Sequence, residues 1–242
     1  MTRKRADIVL VERGIFQSRA RAQAAIAAGC VTVGGAPLER ASHPIAEDAD
    51  IAAEPPHPYV SRGGVKLAEA LDAFGLDPAG LVCLDVGAST GGFTDVLLKR
   101  GARRVFAVDV GHGQIDPALA ADSRVRSLEG RDARALALGD IGERPQAIVC
   151  DVSFISQKFV LPYVLPLAAP QAWLVSLIKP QFEVGPAEIV KGRVKSEAAF
   201  DRVCADVRAS VGQAGWTVLG IIPSPVLGRA GAKEFLLAAR RG

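Results

Sequence analysis

From residue 63 to the end of the chain, short apolar runs alternate with segments that have helical spacing. The most continuous of these runs are LVCLDVGA, RVFAVDVG, QAIVCDVSF and AWLVSLIKP. Strands that are apolar on both sides must be covered on both faces of their sheet, and strands that alternate with helices form parallel sheets. The alternation therefore predicts an α/β fold in which helices cover both faces of one sheet.

The beginning of the chain has a different pattern. DIVLVERGIF has helical spacing, and SRARAQAAIAAG predicts a second helix that Ser18 caps and Gly29 ends. VTVGGAPL predicts a strand, a Gly-Gly turn and a returning strand. The segment EPPHPYVSRGG is rich in Pro and Gly, which is typical of a linker. We therefore expect a small α+β domain at 1–55, a linker at 56–62 and an α/β domain at 63–242.

Basic residues are concentrated at the start of the chain. Residues 1–30 contain six Arg and Lys side chains and two acidic ones, so six minus two leaves a net charge of +4. Such a segment is typical of a phosphate-binding surface, although charge alone fits a solvated helix face equally well. The candidate phosphate contacts are Lys4, Arg5, Arg19 and Arg21.

The sequence indicates a cytoplasmic protein. It has no run of eighteen apolar residues, and its charged start, MTRKRADIVLVERG, lacks the apolar segment of a secretory signal. The four cysteines (Cys30, Cys83, Cys150 and Cys204) and the three histidines show no metal-ligand spacing. We expect reduced thiols, no bound metal and no membrane partner. A disulfide is the alternative for the cysteines.

The sharpest local signal is a glycine-rich turn after the first apolar run, in LVCLDVGASTGGFTD. Glycines permit a tight turn and let a ligand approach the backbone. The turn lacks the Gly-Lys-Ser/Thr ending of a P-loop and does not have GxGxxG spacing. It predicts a cofactor site beyond the carboxyl end of this strand. The candidate cofactor-binding residues here are Asp85, Gly87, Ala88, Ser89, Gly91, Gly92 and Phe93.

Two acidic residues follow later strands. Asp109 ends RVFAVDVG, about twenty residues after the turn, where a carboxylate can accept hydrogen bonds from ribose hydroxyls. Asp132 follows the next strand and is placed to meet an adenine amino group. Either residue could instead cap a turn. The spacing fits NAD and S-adenosylmethionine equally well, so the cofactor stays open on spacing alone.

Four charged residues stand at the ends of elements that converge on one edge of the predicted sheet. Lys66 opens the helix before the first strand, Asp151 ends the fourth strand, Lys179 ends the fifth, and Glu234 begins the last. Charges at the ends of apolar strands are costly unless they are paired or exposed in a cleft. The four residues indicate either a catalytic group or two ordinary ion pairs, Lys66–Glu234 and Asp151–Lys179.

Taken together and in this order, SRGGVKL, DVGASTGGFTD, DVSFIS, IKPQFE and GAKEF closely resemble the TlyA family. Its members are ribosomal RNA 2′-O-methyltransferases with an FtsJ-like catalytic domain, and some are described as hemolysins. SRARAQAAIAAGCVTVGG resembles the S-four-type RNA-binding domain. The resemblance covers nearly the whole chain. It implies a small RNA-binding domain that is followed in sequence by a Rossmann-like S-adenosylmethionine-dependent methyltransferase sheet.

The same resemblance implies the chemistry. Lys66, Asp151, Lys179 and Glu234 match the family's catalytic tetrad, S-adenosylmethionine is the implied cofactor, and cytidine riboses in ribosomal RNA or a ribosomal subunit are the implied targets. A ribose 2′-hydroxyl must lose its proton as it attacks the methyl carbon of a sulfonium. We expect Lys179 to accept that proton or to stabilise the developing alkoxide.

Two other classes of protein fit the sequence less well. An NAD-dependent oxidoreductase is disfavoured because GxGxxG is missing and because a small-molecule enzyme has no need of the basic first segment. A membrane-lytic protein, which the hemolysin label suggests, requires an amphipathic or spanning apolar segment. The apolar runs of this chain are short and broken by turn residues, as buried strands are.

Overall fold

The computed structural model describes residues 3–54 and 57–242 of the chain. Its backbone divides into two compact units, Met1–Pro58 and Tyr59–Gly242. The boundary that the sequence predicts between the first domain and the linker, at residues 55 and 56, lies outside the described residues. Each unit has a hydrophobic core of its own.

The first unit combines two short helices with short strand pairs. Ser18 caps the second helix, because its Oγ accepts a hydrogen bond from the backbone N–H of Arg21 at 3.3 Å. Gly29 follows that helix with φ of +73°, a left-handed conformation that favours glycine. The predicted Gly34–Gly35 turn joins two antiparallel strands. In chain order the elements are β1 (Arg3–Arg5), α1 (Ala6–Glu12), α2 (Arg19–Ala27), β2 (Val31–Val33), β3 (Ala36–Pro37), β4 (Pro44–Ala46) and β5 (Ile51–Ala53).

The second unit is an α/β domain built on a seven-stranded sheet. Its helices are α3 (Arg62–Phe74), α4 (Gly92–Lys99), α5 (Pro117–Ala120), α6 (Leu138–Ile141), α7 (Leu161–Val164) and α8 (Glu197–Gln213). Its strands are β6 (Val82–Val86), β7 (Arg104–Asp109), β8 (Val125–Glu129), β9 (Ala147–Cys150), β10 (Ala172–Ile178), β11 (Ile189–Val190), β12 (Arg193–Val194), β13 (Thr217–Pro223) and β14 (Phe235–Arg241). The strand order in the main sheet is β13-β14-β10-β9-β6-β7-β8, in which β10, β9, β6, β7 and β8 are parallel.

The alternation of side chains along these strands divides the core into two layers. Leu84 and Phe106 point to the layer that contains residues of α7 and α8. Cys83 and Val105, their neighbours in sequence, point to the layer that contains residues of α3 and α4. A fully buried aliphatic or aromatic side chain contributes roughly 1.5–3 kcal/mol relative to an exposed one. The sheet is therefore covered on both faces, as the near-continuous apolar runs predict.

Helix α8 shows how local signals delimit an element. The Oγ of Ser196 accepts a hydrogen bond from the backbone N–H of Ala199 at 3.3 Å and so caps the helix. Val203, Val207 and Val211 recur every fourth residue and are buried against the sheet, while the other face carries charges. Among the described residues, no helix is both long enough and apolar enough to cross a bilayer.

The register of the sheet brings several chain segments to one edge. Because β6 and β9 are adjacent and parallel, Gly87 and Asp151 follow them at the same edge. β14 runs antiparallel to β10, and Phe235 lies opposite Ile178, so the start of β14 stands beside the end of β10. The strand order also reverses between β6 and β9, and ligands of open α/β sheets bind at such a reversal, beyond the carboxyl ends of the strands.

Candidate functional site

A cleft of about 330 Å³ opens at this edge of the sheet. The side chains of all four predicted catalytic residues, Lys66, Asp151, Lys179 and Glu234, line it. Its volume lies at the lower end of the range typical of small-molecule sites, which is about 300–1,000 Å³. The fold therefore brings together four residues that lie on separate elements of the chain.

Asp151 and Lys179 form one ion pair in this cleft. The Lys179 ammonium lies against the Asp151 carboxylate and donates a hydrogen bond to the Oγ of Ser153 at 2.8 Å. The two charged side chains are 12% and 21% exposed, so both are partly removed from water yet open to the cleft. An ammonium held by two oxygens in this way has a fixed position, which a reaction at a single substrate atom requires.

Lys66 and Glu234 form a second ion pair, which is more deeply buried. Their side chains are 10% and 3% exposed. Gly228 is packed against this pair, because a Cβ on Gly228 would lie 2.0 Å from Oε1 of Glu234. Both ion pairs expected from the sequence are therefore present, and both open into one cleft, so pairing and a catalytic role are compatible.

The glycine-rich turn forms one wall of the cleft, but three of its glycines are packed against other parts of the protein. A Cβ on Gly87, whose φ is +85°, would lie 2.5 Å from the carbonyl oxygen of Asp151. A Cβ on Gly92 would lie 2.2 Å from the Oγ of Ser61. A Cβ on Gly91 would collide with Leu119, and Gly91 does not line the cleft. Of the predicted turn residues, those that line the cleft are Gly87, Ala88, Ser89, Gly92 and Phe93.

The two acidic residues expected to contact the cofactor occupy different surroundings. Asp109 accepts hydrogen bonds from the backbone N–H of Ser89 at 2.8 Å and from that of Gly111 at 2.7 Å, so it braces the glycine-rich turn. Asp132 accepts a hydrogen bond from the backbone N–H of Arg134 at 2.9 Å and forms an ion pair with its guanidinium at 2.6 Å. Neither Asp109 nor Asp132 lines the cleft, but Asp109 is hydrogen-bonded to Ser89, which does.

Asp85 lies beneath the turn and is completely buried. Its Oδ2 accepts a hydrogen bond from the Thr94 hydroxyl at 2.7 Å, and its Oδ1 has no hydrogen-bond partner within the described ranges. Burial raises the pKa of the Asp85 carboxyl to about 7, and the Thr94 hydrogen bond opposes this shift. A ligand with a cationic group above the turn would stabilise the ionised form of this carboxyl.

The raised pKa of Asp85 predicts a specific dependence of stability on pH. Since the pKa is 3.8 in a model peptide and about 7 in the folded chain, the folded state binds the proton more tightly. The protonated Asp85 carboxyl therefore stabilises the folded state by up to about 4 kcal/mol. This stabilisation is complete below pH 4 and is lost as the pH rises through 7. In Asp85→Asn this loss should disappear from thermal midpoints measured between about pH 5 and pH 8. Parallel profiles of the two proteins would contradict the assignment.

Two aromatic side chains at the mouth of the cleft were missed by the sequence reasoning. Phe154 is 84% exposed and has φ of +65°, a left-handed conformation that is strained for a phenylalanine. Its ring centroid lies 5.0 Å from that of Phe182, and both residues line the cleft. No composition or spacing signal marks Phe154, because its exposure follows from the backbone turn after Asp151.

Glu183 connects the segments that follow Asp151 and Lys179. Its carboxylate accepts hydrogen bonds from the Ser156 hydroxyl and, at 2.9 Å, from the backbone N–H of Gln157. The buried Gln157 side chain in turn accepts a hydrogen bond from the Ser176 hydroxyl at 2.8 Å and donates one to the carbonyl oxygen of Leu177. This network joins the segment after β9 to β10 and to the turn after it.

Because of this network, Glu183→Gln should lower kcat without touching the cleft directly. Glutamine keeps the shape but replaces one accepting oxygen with an NH2 group, which leaves a buried donor unpaired. We expect kcat to fall about tenfold with little change in KM, since a misplaced group acts mainly on the transition state. Glu188→Gln, which breaks the exposed pair with Arg202, is the matched control and should stay active. Equal activities of the two variants would exclude a positioning role for Glu183.

The predicted phosphate contacts of the first unit are largely engaged in ion pairs. Arg5 and Arg19 both bind the fully buried carboxylate of Asp7, whose pKa is lowered mainly by the hydrogen bonds from Arg5. Lys4 lies 3.0 Å from Glu12 and 3.3 Å from Glu47, and Arg21 donates a hydrogen bond to Gln17. The side chains of Arg5 and Arg19 remain 45% and 54% exposed, so part of each guanidinium faces solvent.

Metal ligands and reactive thiols are two further kinds of functional group that such a chain could contain. Within residues 3–54 and 57–242, no group of three or more His, Cys, Asp or Glu side chains is arranged to hold a metal ion. Burial raises the pKa of the Cys83 thiol and that of the Cys150 thiol to about 12, so both are protonated at neutral pH. All four cysteines are free thiols.

Comparison with known proteins places this architecture in a family. Residues 59–241 match the FtsJ-like methyltransferase model, and residues 4–51 match the S4 domain. The 16S/23S rRNA (cytidine-2′-O)-methyltransferase TlyA of Mycobacterium tuberculosis is 41% identical over 241 residues, which cover 98% of this chain and 90% of that protein. The chain belongs to the TlyA family of FtsJ-like methyltransferases.

Other TlyA-type proteins carry a different name. Hemolysin A of Brachyspira hyodysenteriae is 36% identical over 96% of this chain and 98% of its own length. A solved structure of a candidate hemolysin from Streptococcus thermophilus is 36% identical, with a TM-score of 0.79 over 100% of this chain and 89% of that one. The similarity to these relatives thus extends over nearly the whole of this TlyA family member, including both the S4 and the FtsJ-like parts.

Proposed function

We propose that this chain transfers a methyl group from S-adenosylmethionine to the 2′-hydroxyl of a cytidine ribose in ribosomal RNA. The observation that carries the proposal is the cleft in which Lys179, held by Asp151, faces a second lysine–carboxylate pair beside a glycine-rich turn. The relative from Mycobacterium tuberculosis is named for the same reaction.

The cofactor site consists of the turn from Gly87 to Phe93 together with Asp109. When bound, S-adenosylmethionine supplies a methyl group that is attached to a positive sulfonium and is therefore electrophilic. Each oxygen of Asp109 accepts one backbone N–H and retains a second lone pair, which can accept a ribose hydroxyl. The partnerless oxygen of Asp85 beneath the turn fits a cationic ligand. Asp132 is left out of the proposed site because its carboxylate pairs with Arg134, whereas Asp109 is hydrogen-bonded to Ser89 of the turn.

Lys179 acts on the attacking hydroxyl. A 2′-hydroxyl is a weak nucleophile until it gives up its proton, and a nearby ammonium stabilises the alkoxide that develops as the proton leaves. Asp151 and Ser153 hold Lys179 in place for this step. For Lys179 to accept the hydroxyl proton, its ammonium must first release a proton, and it can do so through the Oγ of Ser153, which is exposed to solvent.

Lys66 and Glu234 form another part of the same cleft and bind the ribose. A paired ammonium and carboxylate present a donor and an acceptor side by side, which matches neighbouring hydroxyl groups of a sugar. Because this pair is buried, breaking it would leave an uncompensated charge in the cleft. The pair therefore fixes the ribose while Lys179 acts on its hydroxyl.

Phe154 and the first unit bind the rest of the RNA. An exposed phenylalanine at the mouth of a cleft can stack on an unpaired base, a contact worth about 1–3 kcal/mol. The outward-facing parts of Arg5 and Arg19 can bind phosphates, while Asp7 holds both guanidiniums in fixed positions. Ribosomal RNA satisfies both requirements, because it offers unpaired bases and a charged backbone.

The experiment that tests the proposal is a map of 2′-O-methylated nucleotides in ribosomal RNA. Ribosomal subunits from cells that lack the gene are incubated with the purified protein and labelled S-adenosylmethionine. Label at a cytidine ribose is the expected result. Absence of label from the RNA of both subunits, with a folded protein, would refute it. Leakage of dye from liposomes, measured with the same preparation, would instead support the hemolysin name of the relatives.

A further inference from the structure

A short hairpin after the catalytic strand β10 carries a concentration of basic side chains. Strands β11 and β12 pair with Ile189 opposite Val194, and Lys191–Gly192 forms the two-residue turn. Lys191 and Gly192 have φ of +50° and +77°. Both values belong to the left-handed region, where Asn or Gly is favoured and lysine is uncommon. Residues 189–195, including the exposed Lys195, are called the basic hairpin below.

The basic hairpin is anchored to the segments that carry the catalytic residues. Val194 is buried and packs in one cluster with Val184 and Phe235. Val184 lies shortly after Lys179 in sequence, and Phe235 directly follows Glu234. The hairpin therefore has a fixed place beside the cleft, although its charged side chains point to solvent.

The charges of the hairpin also continue toward the cleft. A Cβ on Gly231 would lie 3.3 Å from Nη1 of Arg193, so this guanidinium lies over the loop that contains Gly231. Arg229, in the same loop, is exposed and lines the cleft. Positively charged side chains therefore extend from the hairpin (Lys191 and Arg193) to the edge of the cleft (Arg229).

These positive charges are not neutralised by nearby carboxylates. The neighbouring Glu188 pairs with Arg202 at 2.6 Å, and Glu197 pairs with Lys233 at 2.5 Å. In the part of the chain that the structure describes, Lys191, Arg193 and Lys195 take part in no ion pair. This distinguishes them from Lys4, Arg5 and Arg19 of the first unit, each of which is bound to a carboxylate.

We propose that the basic hairpin binds the phosphate backbone of the substrate RNA next to the target nucleotide and guides that strand into the cleft. This inference rests on the proposed function, since it assumes that RNA is the substrate. Exposed, unpaired cations on a rigid support are suited to phosphates, because they release counterions from the RNA without first breaking an internal ion pair. The first unit then contributes a separate contact to a different part of the RNA.

The test uses the full-length protein with an unmodified ribosomal RNA transcript as the probe. The variant Lys191→Gln/Arg193→Gln/Lys195→Gln removes the charges of the hairpin. The control variant Arg126→Gln/Arg208→Gln/Arg240→Gln removes the same charge from exposed positions on β8, α8 and β14. RNA affinity is measured at several salt concentrations, together with kcat, KM and the affinity for S-adenosylmethionine.

We expect the hairpin variant to bind RNA at least about tenfold more weakly at low salt and to lose about two units of the log–log salt slope, since each phosphate contact in single-stranded RNA contributes about 0.7. KM should rise accordingly, whereas cofactor affinity and kcat at saturating RNA should stay near wild type. A charge-retaining variant, Lys191→Arg/Arg193→Lys/Lys195→Arg, should behave as wild type, which controls for damage to the fold.

Two results would overturn the inference. One is an equal loss of RNA affinity in the hairpin and control variants, which would show that only the net charge of the protein matters. The other is unchanged RNA affinity in the hairpin variant while the wild-type protein still methylates RNA. Absence of methylation by the wild-type protein would be a failure of the proposed function instead, so the two failures are distinguishable.

Discussion

Replacement of Lys179 by alanine is expected to lower kcat about a thousandfold or more, the usual cost of removing a group that handles a proton or a developing charge. Affinity for S-adenosylmethionine should change little, because in the proposed reaction Lys179 acts on the attacking hydroxyl. The thermal midpoint should also change little, because the Asp151 side chain left without its partner is 21% exposed. Single-turnover methylation of ribosomal RNA, isothermal titration with the cofactor and thermal unfolding together measure these three quantities.

Lys179→Arg separates the two roles that Lys179 could have. Arginine keeps the positive charge but cannot give up its proton near neutral pH. An active arginine variant would mean that the charge stabilises the alkoxide, and an inactive, folded, cofactor-binding variant would favour proton transfer. Lys158→Ala, which removes an exposed lysine outside the cleft, is the control. Near-wild-type methylation by Lys179→Ala would show that the catalytic assignment is wrong.

Asp109→Ala should weaken the binding of S-adenosylmethionine about a hundredfold. Hydrogen bonds to charged groups contribute about 1.5–3 kcal/mol each, and the change removes one or two of them from the ribose. It also releases the backbone N–H groups of Ser89 and Gly111, so the turn loses its brace. Calorimetric titration measures the loss, and thermal unfolding checks the fold.

The structure also supplies the matched control for this measurement. Asp132→Ala removes an acidic residue that lies beyond the end of β8, the strand beside β7, and that pairs with Arg134 instead of the glycine-rich turn. It should leave cofactor affinity unchanged. Tight cofactor binding by Asp109→Ala, or a large loss in Asp132→Ala, would reverse the assignments that the geometry supports.

The local features of this chain follow from neighbouring residues, and the sequence therefore predicts them. Ser18 caps α2 and Gly29 ends it because each acts on backbone groups within one helical turn. The continuous apolar strands predict a sheet covered on both faces, and the observed core has this form. The two ion pairs of the tetrad could be named in advance, since lone charges at apolar strand ends require partners.

Contacts between distant segments were decided only by the tertiary structure. Asp109, at the end of β7, accepts a hydrogen bond from Ser89, which lies 20 residues earlier in the chain, and so braces the turn. Asp132, beyond the end of β8, instead pairs with its sequence neighbour Arg134. The role of Glu183 and the exposure of Phe154 likewise depend on how the segments after β9 and β10 pack. Both residues stand in motifs quoted for the family resemblance, DVSFIS and IKPQFE, but periodicity and spacing alone do not reveal the contacts that they make.

What the sequence by itself determined is the set of elements and the types of residue at their ends. The sequence named Lys66 and Glu234, which are 168 residues apart, as one of two candidate ion pairs, and strand order and register decided that they meet. Helix caps and turns depend on a few neighbouring residues, so they can be predicted from a short stretch of sequence. A pair across the sheet forms only when β14 enters antiparallel to β10 in one register, and burial of the whole core selects that register.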